Sequence, residues 1–143
     1  MPTSSQDRSG AAGTDPQAPP ATYPDGRAAL GRYGEDLAAA HLLACGHELL
    51  ARNWRCREGE LDLVARDRDG TVVFVEVKTR GGTAFGEPAE AVGPVKARRI
   101  RVLACRWLSE HPPGGAPELR FDVVAVVRRR GEAPVLSHLR EAF

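Results

Sequence analysis

The sequence has 143 residues, of which 20 are basic and 19 acidic, so its formal net charge is +1. This length fits one compact domain, and the near-neutral charge excludes the strongly basic class of nucleic-acid-binding proteins, so a local patch would have to hold any anionic partner. The sequence has neither an apolar run of the roughly 18 residues that span a bilayer nor the apolar stretch of a secretion signal. We therefore expect a cytoplasmic protein that does not enter membranes.

The basic residues are almost all arginine. Only Lys78 and Lys96 are lysine, which leaves 18 arginines among the 20 basic side chains. Lysine is a compact ammonium whose pKa shifts readily, whereas arginine is a broad plane that stays charged. The two lysines therefore indicate positions where an ammonium is needed.

The N-terminal segment differs in composition from the rest of the chain. Residues 2–29 contain no Leu, Ile, Val, Met, Phe or Trp and are rich in Pro, Gly, Ser, Thr and Ala. Such a segment buries too little apolar surface to offset the entropy lost on ordering. We predict a disordered tail over residues 1–24 and one domain over residues 25–143.

The first predicted element is a helix that Asp25 can cap, that runs to Cys45, and that Gly46 ends. Helical spacing places six residues on one face of this helix: Leu30, Tyr33, Leu37, Ala40, His41 and Ala44. A first strand is expected over His47–Trp54.

Two runs of alternating residues follow, Glu60–Arg66 and Val72–Thr79, and the turn Asp67–Gly70 separates them. A three-residue loop ending with Gly70 in the left-handed conformation pairs residues whose numbers sum to 138. This register gives one wholly apolar face, in which Leu61, Leu63 and Ala65 lie opposite Val77, Val75 and Val73. A two-residue turn would mix charges into both faces, so the first register is favoured.

The second half of the domain begins with a glycine-rich loop over Arg80–Gly93. Pro94 then starts a second helix. Its predicted buried stripe is Ile100, Leu103, Ala104, Trp107 and Leu108. Another strand is predicted over Leu119–Val127, and a short last strand is a candidate over Pro134–Leu139. The order α-β-β-β-α-β predicts an α/β fold with a mixed central sheet flanked by helices.

The other face of the predicted hairpin is charged, with Asp62 opposite Glu76 and Glu60 opposite Lys78. Opposed side chains have Cβ atoms about 4.5–5.5 Å apart, and like charges there are destabilising. A cation would relieve the Asp62–Glu76 pair, and Mg²⁺ binds through one or two carboxylates plus substrate phosphates. A metal, two carboxylates and an ammonium suit phosphodiester hydrolysis. A solvated polar face with an ordinary Glu60–Lys78 ion pair is the alternative.

The motif Gly59-Glu60-Leu61-Asp62-Leu63, followed by Phe74-Val75-Glu76-Val77-Lys78-Thr79-Arg80, resembles the bacterial YraN family. That family is similar to archaeal Holliday-junction resolvases. Supporting matches are Gly34-Glu35, Arg52-Asn53, Phe85-Gly86, Lys96 and Arg120-Phe121-Asp122, so the resemblance spans about residues 30–127. It implies the restriction-endonuclease-like fold, whose D…(D/E)-x-K signature falls on Asp62, Glu76 and Lys78.

Two further carboxylates, Glu35 and Glu60, are candidates for the same site. Glu35 corresponds to the helix glutamate of the resolvases and adds a ligand, or it is a solvated charge favoured by the helix dipole. Glu60 helps to bind metal or water, or it pairs with Lys78. Asp122 is expected to support the sheet rather than to act in catalysis.

Four basic residues are candidate contacts for nucleic-acid phosphates. Lys96 lies on the helix face turned toward the sheet, where it either reaches a phosphate or extends from the packed face to solvent. Arg98 and Arg101 share one helix edge, and Arg80 ends the motif. Such arginines contact DNA phosphates or simply form a solvated face.

The predicted function is a metal-dependent nuclease that hydrolyses DNA phosphodiesters, including those of branched or other non-standard structures. Asp62 and Glu76 would bind Mg²⁺ or Mn²⁺, and Lys78 would assist the attacking water. Because resolvase-like enzymes cut two strands symmetrically, the resemblance also implies a homodimer. Two alternatives stand beside this prediction: a non-catalytic nucleic-acid-binding accessory of recombination, repair or DNA uptake, and a protein-interaction domain that retains the fold.

Overall fold

The computed structural model describes residues 24–81 and 92–143. Its helices and strands, in chain order, are α1 (Gly26–Ala44), β1 (Glu48–Cys56), β2 (Gly59–Arg66), β3 (Val72–Arg80), α2 (Pro94–Glu110), β4 (Leu119–Val127) and β5 (Val135–Leu139). Each predicted element is present, with bounds within two residues of those expected. The predicted N-terminal tail and most of the predicted loop over residues 80–93 lie outside the described residues.

The described strands form one mixed sheet in the order β1-β2-β3-β4-β5. β3 and β4 are parallel, and the other neighbours are antiparallel. Parallel neighbours need a crossover connection, and α2 lies in the connection between β3 and β4. The α/β class and the mixed sheet are therefore confirmed, and β5 extends the predicted order by one strand. Neither helix of the described residues is long and apolar enough to cross a membrane.

The two helices cover opposite faces of the sheet. Phe74 on β3 belongs to the apolar cluster under α2, whereas its neighbours Val73 and Val75 belong to the cluster under α1. The residues that α2 buries are Ile100, Leu103, Ala104 and Trp107, with Leu108 partly buried. The predicted stripe of the second helix is therefore confirmed.

The face of α1 that packs on the sheet overlaps the predicted face only in part, since Leu37 is buried and the other predicted members are half-buried or, at Ala44, exposed. The residues that α1 buries are Gly34, Leu37, Ala38, Ala39 and Leu42. The cause is a close approach to β3, because a Cβ atom at Gly34 would lie 1.8 Å from Thr79 Oγ1. The small residues of α1 therefore face the sheet, and Ala44 is exposed.

The predicted hairpin register is confirmed near the turn and ends sooner than expected. The paired residues run from Leu63 with Val75 to Arg66 with Val72, and each pair sums to 138. Beyond them, the Asp62 carboxylate accepts a hydrogen bond of 2.8 Å from the Val77 backbone N–H. The Asp62 carboxylate takes the place of a backbone hydrogen bond between the two strands, so β2 and β3 separate here.

The single apolar face predicted for the hairpin is also wrong at its far end. Leu61 packs in the cluster under α2, whereas Leu63 and Val77 pack in the cluster under α1. Strict alternation would place Leu61 and Leu63 on one face. The alternation breaks at Asp62, which stands in the β1–β2 register opposite Asn53, a residue with a left-handed φ of 50°.

Candidate active site

Glu76 lies near the middle of β3, and it is 8% exposed. Its side chain contacts Lys96, whose ammonium comes from the first turn of α2 and forms a salt bridge with Glu76 Oε1. Because α2 begins after β3 ends and then packs back along the sheet, its first turn reaches this part of the strand. The structure therefore brings Glu76 and Lys96 together, although they are 20 residues apart in the sequence.

Asp62 lies beside Glu76, where β2 and β3 separate. Burial, followed by the negative charge of Glu76, raises the pKa of Asp62 to about 7, and Glu35 adds to the rise. The hydrogen bond from Val77 opposes the shift without cancelling it. The negative charge of Glu76 makes ionisation of Asp62 unfavourable, and a cation beside the two carboxyl groups would offset that cost.

Lys78 completes this group. The nearby ammonium of Lys96 is the main cause that lowers the pKa of Lys78, and burial adds to it, while Glu76 and Asp62 oppose the shift. Burial acts to lower the pKa of Lys96, but its contact with Glu76 outweighs burial, so that pKa is raised. We call Asp62, Glu76, Lys78 and Lys96 the acid–lysine cluster.

An open cleft of about 540 Å³ adjoins the cluster on the side of α1. Its charged and polar lining consists of Arg32 and Glu35 from α1, Asn53 and Arg55 from β1, and Glu60 and Asp62 from β2. We call it the α1 cleft. Asp62 is the member of the acid–lysine cluster that lines it.

The two additional carboxylates of the sequence analysis both face the α1 cleft. Glu35 acts on Asp62 through its charge. Glu60 forms a salt bridge of 3.3 Å with Arg55 Nε, so the predicted pairing of Glu60 with Lys78 is wrong. The reason is that the β2–β3 ladder ends at Leu63, before the position where that pair would form.

The arginines predicted to bind phosphates do not gather around the acid–lysine cluster. Arg101 lies over the ring of Phe121, with its Cζ atom 4.7 Å from the ring centroid. Arg98 is exposed on α2, and Arg80 is exposed at the end of β3. Of the predicted phosphate contacts, Lys96 is the one that joins the cluster.

Sequence reasoning missed three cleft residues, Arg32, Asn53 and Arg55. Arg32 precedes Glu35 by three residues, and this spacing places both on one helix face. In the sequence, Asn53 stands out only as part of the family motif, although asparagine is one of the few residues that tolerate a left-handed backbone. Apart from its charge, no feature of the sequence indicates that Arg55 belongs to the site.

Asp122 has the supporting role that the sequence predicted. It is fully buried, and it accepts hydrogen bonds from Arg120 at 2.9 and 3.1 Å, from the Glu141 N–H at 3.1 Å and from the His138 ring at 2.8 Å. Burial acts to raise the pKa of Asp122, but these hydrogen bonds outweigh burial, so that pKa is lowered. A carboxylate with this many donors is occupied in joining β4 to β5 and the segment after it.

The donor set of the cluster suits a hard divalent cation. Over residues 24–81 and 92–143, no three His, Cys, Asp or Glu side chains form a ready-made metal site. Asp62 and Glu76 are nevertheless adjacent carboxyl groups. Mg²⁺ is commonly held by one or two carboxylates and completes its octahedron with water and substrate phosphates. Two carboxylates beside an open cleft meet that requirement.

Comparison with known proteins places the chain in a family. Residues 34–126 match the model of the uncharacterised protein family UPF0102. A UPF0102 protein of Acidothermus cellulolyticus is 52% identical over 126 residues, which cover 82% of this chain and 95% of the relative. One of Frankia casuarinae is 59% identical over 116 residues, which cover 80% and 96%. The matched segment runs from the close contact at Gly34 to the end of β4, and the chain therefore belongs to family UPF0102.

Proposed function

We propose that this protein is a metal-dependent nuclease that hydrolyses DNA phosphodiesters. The observation that carries the proposal is the acid–lysine cluster, in which two neighbouring carboxyl groups and two lysines meet beside an open cleft. A pair of acidic residues, one buried and one half-buried, is costly in a fold that could have used apolar residues there. The cost is understandable where the pair holds a cation for chemistry on an anionic substrate.

The residues that would hold Mg²⁺ or Mn²⁺ are Asp62 and Glu76, with Glu35 as a further carboxylate across the cleft. When bound, such an ion supplies Lewis acidity, which polarises the phosphate and lowers the pKa of a bound water. The hydrogen bond from the Val77 N–H fixes one Asp62 oxygen. Lys96 holds Glu76 through its salt bridge.

Lys78 is the group suited to assist the attacking water. Its pKa is lowered by Lys96 and by burial, so its ammonium gives up a proton more readily than an exposed lysine does. An ammonium at this place can also donate hydrogen bonds to the phosphate oxygens, where negative charge grows during hydrolysis. Arginine would serve this purpose less well because it stays protonated.

The sequence motif supports the same function. The resemblance to the YraN family and to Holliday-junction resolvases assigns Asp62, Glu76 and Lys78 to the signature of the restriction-endonuclease-like fold. A mixed sheet between two helices is compatible with that fold. The proposal therefore includes branched DNA among the substrates and a homodimer as the active form.

Cleavage assays with the purified full-length protein test the proposal. Supercoiled, single-stranded and four-way-junction DNA would each be incubated with Mn²⁺ or with EDTA. We expect cutting with Mn²⁺ alone, and we expect Asp62→Asn and Lys78→Ala to abolish it. Asp36→Asn is the matched control, since Asp36 is an exposed carboxylate of α1.

The alternatives make different predictions in the same assay. Salt-sensitive DNA binding without cutting under every metal condition would replace the nuclease with a nucleic-acid-binding accessory. Absence of any salt-sensitive DNA binding would leave a protein-interaction domain. Cutting that persists in Asp62→Asn would place the chemistry elsewhere in the chain.

A further inference from the structure

The α1 cleft has a charge distribution that the acid–lysine cluster alone does not explain. Three carboxylates, Glu35, Glu60 and Asp62, line it together with two guanidinium groups, Arg32 and Arg55. The two arginines come from different elements, α1 and β1. A volume of about 540 Å³ lies within the range of sites that bind small ligands, so a segment of a larger ligand can enter.

The two arginines suit phosphate groups. A guanidinium donates paired hydrogen bonds in a plane that matches two phosphate oxygens. Arg55 is 76% exposed in its side chain, and its salt bridge with Glu60 is made through Nε, which lies on one edge of the guanidinium group. Arg32 is exposed on the helix face that borders the cleft.

The approach along α2 also carries exposed basic residues, Arg98 and Arg99, but no described residue of α2 lines the α1 cleft. Lys96 is engaged with Glu76, and the Arg101 guanidinium lies over Phe121. Arg98 is the predicted α2 contact for which no such engagement is seen. Besides the two lysines of the acid–lysine cluster, the cationic groups placed beside Asp62 are therefore Arg32 and Arg55, which line the α1 cleft.

Asn53 adds a second observation at the same place. It holds a left-handed backbone with φ of 50°, opposite Asp62, and its side chain lines the cleft. Non-glycine residues in this conformation concentrate at ligand-binding and catalytic sites, where surrounding structure maintains the strain. A neutral amide beside two arginines can donate to a phosphate oxygen without adding charge.

We propose that the α1 cleft binds the phosphodiester backbone of DNA, with Arg32 and Arg55 contacting the phosphates on either side of the one that is cut. The inference rests on the proposed nuclease function and adds the side from which the substrate enters. Asn53 is a positioning residue in the same subsite. The α2 arginines, which the sequence favoured, then lie outside the main contact.

Charge-removing variants test this entry side. Arg32→Gln and Arg55→Gln would be compared with wild type for binding of a labelled four-way junction and a single strand in EDTA, over a range of KCl concentrations. We expect each variant to bind about tenfold more weakly. The slope of log affinity against log salt should become shallower by about 1 for each lost phosphate contact.

Matched variants separate charge from structure. Arg32→Lys and Arg55→Lys keep the positive charge and should preserve most of the salt slope. Arg66→Gln removes a half-buried arginine at the opposite end of β2, where it pairs with Glu48, and should bind DNA as wild type does. Thermal unfolding of each variant checks that the fold is kept.

Each outcome decides the inference. Weakened binding in Arg32→Gln and Arg55→Gln, with Arg98→Gln unchanged, supports entry through the α1 cleft. Unchanged binding in the first two variants, or a larger loss in Arg98→Gln, overturns it, while Mn²⁺-dependent cutting by wild type would leave the nuclease function standing. A wild-type protein that neither binds nor cuts DNA would remove both.

Discussion

At the scale of single residues, Asp62 is a group whose negative charge the folded protein accommodates poorly. Burial and Glu76 raise its pKa to about 7, well above the ordinary value of 3.8. The folded protein therefore binds a proton at Asp62 more tightly than the unfolded chain does. Between these two pKa values, a rise in pH removes stability from the folded state.

Substitution of Asp62 tests this linkage. In EDTA, we expect Asp62→Asn to gain stability relative to wild type as the pH rises from about 4 to above 7, by on the order of a few kcal/mol at the upper end. Thermal unfolding of both proteins across this range measures the difference. A difference that stays constant with pH would contradict the raised pKa.

Metal binding should offset the free-energy cost of ionising Asp62 in the folded protein. With Mn²⁺ at about 100 times its dissociation constant, binding adds roughly 2.7 kcal/mol to the free energy of unfolding. We expect a rise in the wild-type melting temperature and no such rise for Glu76→Gln, which loses a charged ligand. Glu48→Gln on the exposed part of β1 is the control, and an equal response in Glu76→Gln would exclude Glu76 as a ligand.

Asn53 is the second residue that lowers the stability of the folded state locally, here through its backbone conformation. Its left-handed backbone is strained for residues with a Cβ atom and free of strain for glycine. We expect Asn53→Ala to lower the free energy of unfolding by about 1 kcal/mol and Asn53→Gly to leave it nearly unchanged. Urea unfolding measures both, and equal losses would indicate that the side chain, rather than the backbone, stabilises this position.

At the scale of the elements, alternation and turn chemistry predicted the β2–β3 register, since Gly70 has φ of 90° and the pairs sum to 138. The same pattern failed at Leu61, because the irregularity at Asn53 and Asp62 is set by contacts between strands. The buried face of α1 also could not be predicted from spacing. It depends on how closely the helix approaches Thr79, which is a tertiary property.

The contact between α1 and β3 makes Gly34 sensitive to any side chain. A Cβ atom there would lie 1.8 Å from Thr79 Oγ1, so α1 would have to move away from the sheet. We expect Gly34→Ala to lower the free energy of unfolding by about 1–3 kcal/mol. Gly31→Ala on the same helix meets no atom within 4 Å and should stabilise by about 0.5–1 kcal/mol. Urea denaturation of the pair gives the test, and equal effects would contradict the close approach.

At the scale of the whole molecule, the polar groups divide between two structural roles. The acid–lysine cluster lies where β2 and β3 separate, and it is held by the hydrogen bond from Val77 to Asp62 and by the Lys96–Glu76 salt bridge. The Asp122 group joins β4 to the hairpin, because Arg120 also bonds to Asp67 at 3.0 Å. Sequence reasoning identified the members of the cluster through their motif, but the connections of Asp122 depend on long-range topology.

Because the Asp122 group joins strands while the acid–lysine cluster is the proposed metal site, a substitution of Asp122 should change the stability of the fold without changing its response to Mn²⁺. Asp122→Ala leaves Arg120, whose side chain is 11% exposed, without its buried partner, and breaking such a pair costs about 3–5 kcal/mol. The lowered pKa of Asp122 means that its contribution is present above about pH 4 and is lost as the pH falls through the folded-state value. We therefore expect Asp122→Ala to be much less stable than wild type at pH 7 and closer to it at low pH.

The shift in melting temperature caused by Mn²⁺ should persist in this variant, because Asp122 projects from the sheet face under α1 while Glu76 faces Lys96 on α2. Thermal unfolding at both pH values, with and without Mn²⁺, measures each effect, and loss of the Mn²⁺ shift in a folded Asp122→Ala protein would contradict this division of roles.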